Sequence, residues 1–138
     1  MTVKVVLDEG AILPTRGHRE DAGLDLYTRE FLMIKPGGSR TVDTGVHVQI
    51  PEGYVGMVKS KSGLNIKSGL LSEGVIDCGY TGSIRVKLYN HSAVPAIINA
   101  GEKISQLVIL PIITPDLEVV DALEETERGD GGFGSTGK

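Results

Sequence analysis

A chain of 138 residues, 40% hydrophobic and 23% charged, can bury one core and has the composition of an ordinary globular domain. A net charge of −4 gives no basic field to draw in a nucleic-acid backbone, and no apolar run approaches the ~20 residues that cross a bilayer. A single cysteine, Cys78, excludes an intrachain disulfide and a multi-thiolate zinc site, and the opening MTVKVVLDEG lacks the basic-then-apolar pattern of a secretory signal, so a cytoplasmic location is expected.

Period-two alternation dominates from the start, with Val3, Val5 and Leu7 on one side of an opening strand. In AGLDLY (22–27) Asp25 sits between two leucines. A carboxylate in that inward-looking setting requires a partner: a magnesium-bound water, a backbone group or an arginine. RTVDTGVHVQI (40–50) places Val42, Thr44, Val46, Val48 and Ile50 on one face and Asp43, His47 and Gln49 on the other. Pro51-Glu52-Gly53 then turns the chain, and YVGMV resumes an extended run.

KSKSGL (59–64) puts two lysines and two serines ahead of the one stretch able to form a short helix, Ser62 to about Lys67, with Ser62 as N-cap. Backbone donors at such a helix start can receive an anion, although the run lacks the glycine framework of a Walker A loop. The plainer alternative is a solvated basic loop. In GVIDCGYTG (74–82) Asp77 follows an apolar pair and precedes a glycine-flanked turn. Its carboxylate, fixed at a strand end beside Tyr80, can orient or deprotonate a water; the commoner role of an aspartate before such a turn is to cap it.

SIRVKLYN (83–90) alternates with Ile84, Val86 and Leu88 inward. Asn99 to Glu102 reads as a hairpin turn, and KISQLVILPII, apolar on both faces, as a strand buried on both sides. Gln106 interrupts that strand, and its amide needs backbone partners or a ligand phosphate. His18, His47 and His91 are scattered without metal-ligand spacing. With 19 glycines and 6 prolines between short apolar runs, the expected fold class is all-β, a sandwich or jelly roll.

From Thr126 apolar periodicity ends, and five of the last ten residues are glycine. Glycines let backbone N–H groups wrap phosphate oxygens; Arg128 adds a charged fork, Ser135 and Thr136 hydroxyls, and Lys138 a point charge. Phe133, isolated between glycines, can stack on a nucleobase for about 1–3 kcal/mol. A disordered Gly/Ser tail is the bland alternative. The expected organisation is a β domain over 1–127 and a glycine-rich lid over 128–138 that orders on binding.

Taken in order, AGLDLY, KSKSGL, GVIDCGYTG, GEKISQLV and RGDGGFGSTG resemble the five motifs of the trimeric dUTPase family across nearly the whole chain. The resemblance implies a distorted jelly-roll protomer, a homotrimer with three sites each shared among all chains, and Mg2+ as cofactor. The implied reaction is hydrolysis of dUTP to dUMP and pyrophosphate by water attack on the α-phosphorus, limiting uracil in DNA and supplying dUMP for thymidylate synthesis. Asp77 would be the catalytic residue, contacting the 3′-hydroxyl and positioning the water, and Tyr80 would lie against the deoxyribose. Asp25 would hold the metal mostly through water. Lys61, Ser62, Gly63 and Gln106 would join the substrate site, Ser62 and Gln106 on the phosphate chain. Arg128, Ser135 and Thr136 would hold the γ-phosphate, with Gly134 beside them and Phe133 stacked on uracil.

Two positions depart from the pattern: Lys61 stands where the family commonly has arginine, and Gly79 where it often has an acid. Two rival functions are a dCTP deaminase, which resembles the dUTPases but uses a glutamate where this chain has Lys87, and a dUTPase-like domain whose role is to bind a regulatory protein.

Overall fold

A computed structural model describes residues 1–137; Lys138, expected to add charge to the tail, lies outside the described residues. Among those residues the alternating runs become ten strands and one helix: β1 (Lys4–Leu7), β2 (Gly23–Tyr27), β3 (Leu32–Ile34), β4 (Ser39–Gln49), β5 (Tyr54–Lys59), α1 (Ser62–Ser68), β6 (Leu70–Leu71), β7 (Glu73–Ile76), β8 (Ser83–Asn90), β9 (Ala96–Ile98) and β10 (Lys103–Pro111). Two antiparallel four-stranded sheets, β1-β4-β8-β6 and β2-β10-β5-β7, are joined by a two-stranded ribbon, β3-β9. This is the all-β fold expected from the alternation and the jelly roll implied by the family resemblance.

The core lies where the alternating faces meet. Val42, Val46, Val48, Ile84, Val86 and Leu88 come from the first sheet, and Leu26, Val58, Ile104 and Leu107 from the second; all are at most 4% exposed. Each such side chain contributes about 1.5–3 kcal/mol relative to exposure. Polar groups in this core are paired: the Thr44 hydroxyl donates to the Ile84 carbonyl (2.7 Å), and Asn90 donates to the carbonyls of Ile34 and Val94 (both 2.9 Å). Among the described residues no helix is long and apolar enough to cross a membrane.

Four local expectations change. The opening strand forms, but Val5, Val6 and Leu7 are 37%, 66% and 41% exposed, because only β4 pairs with it. β10 lies inside its sheet and is buried in its first half, yet Leu110 and Ile113 beyond it are exposed, since no second layer covers that end. Asn99 to Glu102 does turn, with Gly101 at φ 84° and Glu102 N–H donating to the Asn99 carbonyl. It is not a hairpin, because β9 pairs with β3 while β10 pairs with β2 and β5. Finally, Lys61, with extended backbone and no side-chain cap, is the N-cap of α1, and Ser62 is its first helical residue.

Candidate active site

Asp25 is the most constrained charge of the site. It lies on the edge strand β2, 6% exposed, directly across from Gln106 on the inner strand β10. The partners its burial demands are two lysines: Lys61, at the start of α1, and Lys103, at the start of β10 (2.8 Å). Burial pushes the Asp25 carboxyl up, but the hydrogen bonds and charges of Lys103 and Lys61 outweigh it and hold the group below the usual aspartate value. Gln106 is also in register with Lys59, and its amide donates to the Ser60 carbonyl (2.9 Å). The first, second and fourth sequence segments therefore converge on one cluster, with Ser62 and Gly63 exposed at its rim.

The third segment forms a separate structure. Asp77 follows the last residue of β7 and opens a turn closed by the Tyr80 N–H on the Asp77 carbonyl (3.0 Å). The turn is closed by backbone alone, which leaves the exposed Asp77 carboxylate facing solvent rather than capping it. Tyr80 folds back, its hydroxyl donating to the Ser83 carbonyl (2.9 Å). A Cβ on Gly82 would lie 2.5–2.9 Å from the tyrosine ring and hydroxyl, so glycine is required for the ring to lie there. Gly79, by contrast, has open space around it, so the acid common in the family would fit without strain.

The final segment stands apart from both. Among the described residues, hydrogen bonds of 126–137 close within the tail: Arg128 Nε donates to the Gly131 carbonyl (2.7 Å), and turns close at Gly131, Ser135 and Gly137. Phe133 is fully exposed, with φ at 49°. Arg128, Gly134, Ser135 and Thr136 are likewise exposed.

One chain does not bring these parts together. Asp25 is on an edge strand of its sheet, and Asp77 leaves the opposite edge. Glu73 is in register with Lys59, itself in register with Gln106, and Asp77 lies four residues beyond Glu73. At ~3.3 Å per residue along the strand and ~4.8 Å between strands, Asp77 and the Asp25 cluster are on the order of 20 Å apart.

A family model described as dUTPase matches residues 9–137. The chain belongs to the dUTPase family. A deoxyuridine 5'-triphosphate nucleotidohydrolase of Yarrowia lipolytica is 44% identical over 99% of this chain and 90% of its own length; that of Clostridium tetani is 42% identical over 99% and 97%. Among solved structures, the dUTPase of Staphylococcus bacteriophage 80alpha with dUPNHPP superposes with a TM-score of 0.93 at 35% identity, covering 99% of both chains. A mutant dUTPase from phage phi11 of S. aureus, whose structure concerns the coordination of a structural Mg(II) ion, gives 0.84 at 33% identity, covering 91% of this chain and all of the other.

For a dUTPase chain, one charge at this cluster escaped the sequence reading: Lys103. Its only signal was the position of a lysine at the mouth of β10, one strand away from a carboxylate in need of a partner. The depressed Asp25 carboxyl also has a consequence for stability. The ionised form is favoured in the folded chain, so its contribution is present above the ordinary aspartate value of ~3.9 and disappears as pH falls through the lower folded value. Asp25→Asn is expected to lose about 1–3 kcal/mol at pH 7, read by thermal denaturation, with the gap to wild type closing in strong acid. An unchanged melting temperature at pH 7 would show that both lysines find equal partners in water.

Proposed function

We propose that this chain hydrolyses dUTP to dUMP and pyrophosphate as a homotrimer, with each site assembled from the Asp25 cluster of one chain, the Asp77 turn of a second and the tail of a third. The observation that carries the reading is the exposed, uncapped Asp77 carboxylate, held beside a locked Tyr80 in a chain that matches the dUTPase family over residues 9–137. The separation of that turn from the Asp25 cluster supports sharing between chains. So does apolar surface that one chain leaves bare: Val6, Val75 and, beyond β10, Ile113, Leu117, Val119 and Leu123, the last four at least 87% exposed.

Each residue type suits its assigned work. Asp77 orients the water against the α-phosphorus and accepts its proton, while Tyr80 packs on the deoxyribose and leaves no room for a ribose 2′-hydroxyl. Lys61, Ser62, Gly63 and Gln106 bind the phosphate chain. Lys61 spends its charge as a point contact rather than a bidentate fork, since it is already shared with Asp25. Arg128, Ser135 and Thr136, with the Gly134 backbone, close on the γ-phosphate, and Phe133 stacks on uracil. Residues 1–127 act as the body and 128–138 as its lid.

Asp25, the buried carboxylate of the site, would hold magnesium through water while its charge is shared with Lys61 and Lys103. Magnesium keeps several waters and is held mainly by substrate phosphates, so one neighbouring carboxylate suffices. When bound, the ion neutralises triphosphate charge. Action on a free nucleotide agrees with a cytoplasmic location.

The deaminase reading is disfavoured at Lys87. It lies on the exposed face of β8 with its ammonium 5.2 Å from the Tyr89 ring centroid, where the deaminase requires a glutamate. The deciding experiment is incubation with magnesium and each common deoxynucleotide, reading pyrophosphate and ammonia. Pyrophosphate from dUTP alone is expected. Ammonia from dCTP would replace the reading with deamination, and no turnover would favour a protein-binding role.

A further inference from the structure

Two side chains of β4 hold the exit of the turn bearing Asp77 and Tyr80, one at Thr81 and one at Ser83, where β8 begins. Asp43 accepts the Ser83 hydroxyl (2.5 Å), and His47 reaches the Thr81 carbonyl through Nδ1 (2.8 Å) and the Asp8 carboxylate through Nε2 (3.0 Å). We infer that His47 is a positioning residue of the dUTPase reaction, an imidazolium that clamps the substrate-binding turn at Thr81 to Asp8. Its link to turnover rests on the proposed roles of Asp77 and Tyr80; the clamp itself does not.

A carbonyl and a carboxylate both accept, and a neutral imidazole carries one N–H, so only the doubly protonated ring makes both bonds. The backbone is shaped for this contact. Gly45, at φ 68°, interrupts β4, and the register with β8 shifts between Asp43 and His47, which brings His47 opposite Ser83. A Cβ at Gly45 would lie 2.8–3.0 Å from the Arg29 guanidinium and Ala11, so the interruption requires glycine twice over.

The charges facing the ring agree. The Thr81 carbonyl and then Asp8 raise His47 above its usual value, with a smaller contribution from Asp43, against slight desolvation. Asp43 stays ionised, held low by the Ser83 hydroxyl and the Gly45 amide, with Arg29 and Arg85 nearby. From β1, Lys4 and Val6 line the same small cleft as His47 and Thr81. Because the folded value is raised, the clamp is complete below about pH 6.5 and is lost as pH rises through that folded value. The ring then keeps only one of its two bonds, and the link from Thr81 to Asp8 is broken.

The test pairs ring-nitrogen NMR of His47 in the full chain with the pH profile of kcat/KM for dUTP at saturating magnesium. Expected are a His47 titration above the ordinary ~6.5, amide signals of Cys78 to Gly82 that follow it, and a basic limb over which kcat/KM falls roughly three- to tenfold. Asp8→Asn distinguishes this from a merely structural bond. An asparagine amide can donate to Nε2, so a neutral ring still holds Thr81, and the variant should stay active with its basic limb gone. His47→Ala should be lower by about tenfold across the range, also without the limb. A His47 titration at or below the ordinary value, or a basic limb that survives in both variants, overturns the clamp. A chain that does not turn over dUTP sinks the functional reading instead, while the NMR titration still decides the clamp.

Discussion

Asp77→Asn is expected to lower kcat by on the order of a hundredfold or more while leaving nucleotide affinity within a few-fold. The substitution preserves size and the backbone turn, which is closed by the Tyr80 N–H on the Asp77 carbonyl and asks nothing of the side chain. In the proposed mechanism it removes the negative charge that aligns the attacking water and the oxygen that takes its proton. Because phosphoryl transfer demands chiefly positioning and charge stabilisation, the loss falls on the transition state rather than on the bound nucleotide. Steady-state kinetics beside binding of a non-hydrolysable dUTP analogue separate the two. Near-wild-type kcat would remove Asp77 from the mechanism, and lost binding with normal kcat would make it a substrate anchor.

The second large effect belongs to the tail. Deletion after Glu127 removes no core residue, and the hydrogen bonds of that segment close within itself among the described residues. Circular dichroism should therefore find the same fold, and light scattering the proposed trimer intact. Turnover is another matter. One charge-assisted arginine contact of about 1.5–3 kcal/mol and one base-stacking contact of about 1–3 kcal/mol are lost together. At ~1.4 kcal/mol per factor of ten, kcat/KM should fall at least about sixtyfold, and further where closure also excludes water. Full activity in the truncated chain would make the tail ornamental. A monomer would show instead that the tail holds the assembly together.

Much of this was legible in the sequence wherever one face of one strand decided the matter. The alternation in β4 and β8 placed Val42, Val46, Ile84, Val86 and Leu88 correctly, because a half-buried strand writes its own pattern. Where burial depends on what another surface supplies, the pattern misleads: Val5 and Leu7 of β1 and the far end of β10 are apolar yet bare in a single chain. Partner choice was hidden for the same reason. Asp25 plainly needed a partner, but that it would be shared by Lys61 and Lys103 follows from the pairing of β2 with β10 and the docking of the α1 start beside them. In the alternation of β4, His47 falls simply on the face opposite the valines. Its two acceptors come from segments 34 and 39 residues away in the chain, and no local signal could have joined them.

The separation of Asp77 from the Asp25 cluster is what makes the proposed site a property of an assembly rather than of one chain. What that assembly does to its substrate is most directly read by turnover of dUTP in 18O-labelled water. Attack of an Asp77-oriented water on the α-phosphorus predicts one labelled oxygen in dUMP and none in pyrophosphate. Label in the pyrophosphate, or release of inorganic phosphate in its place, would contradict the account.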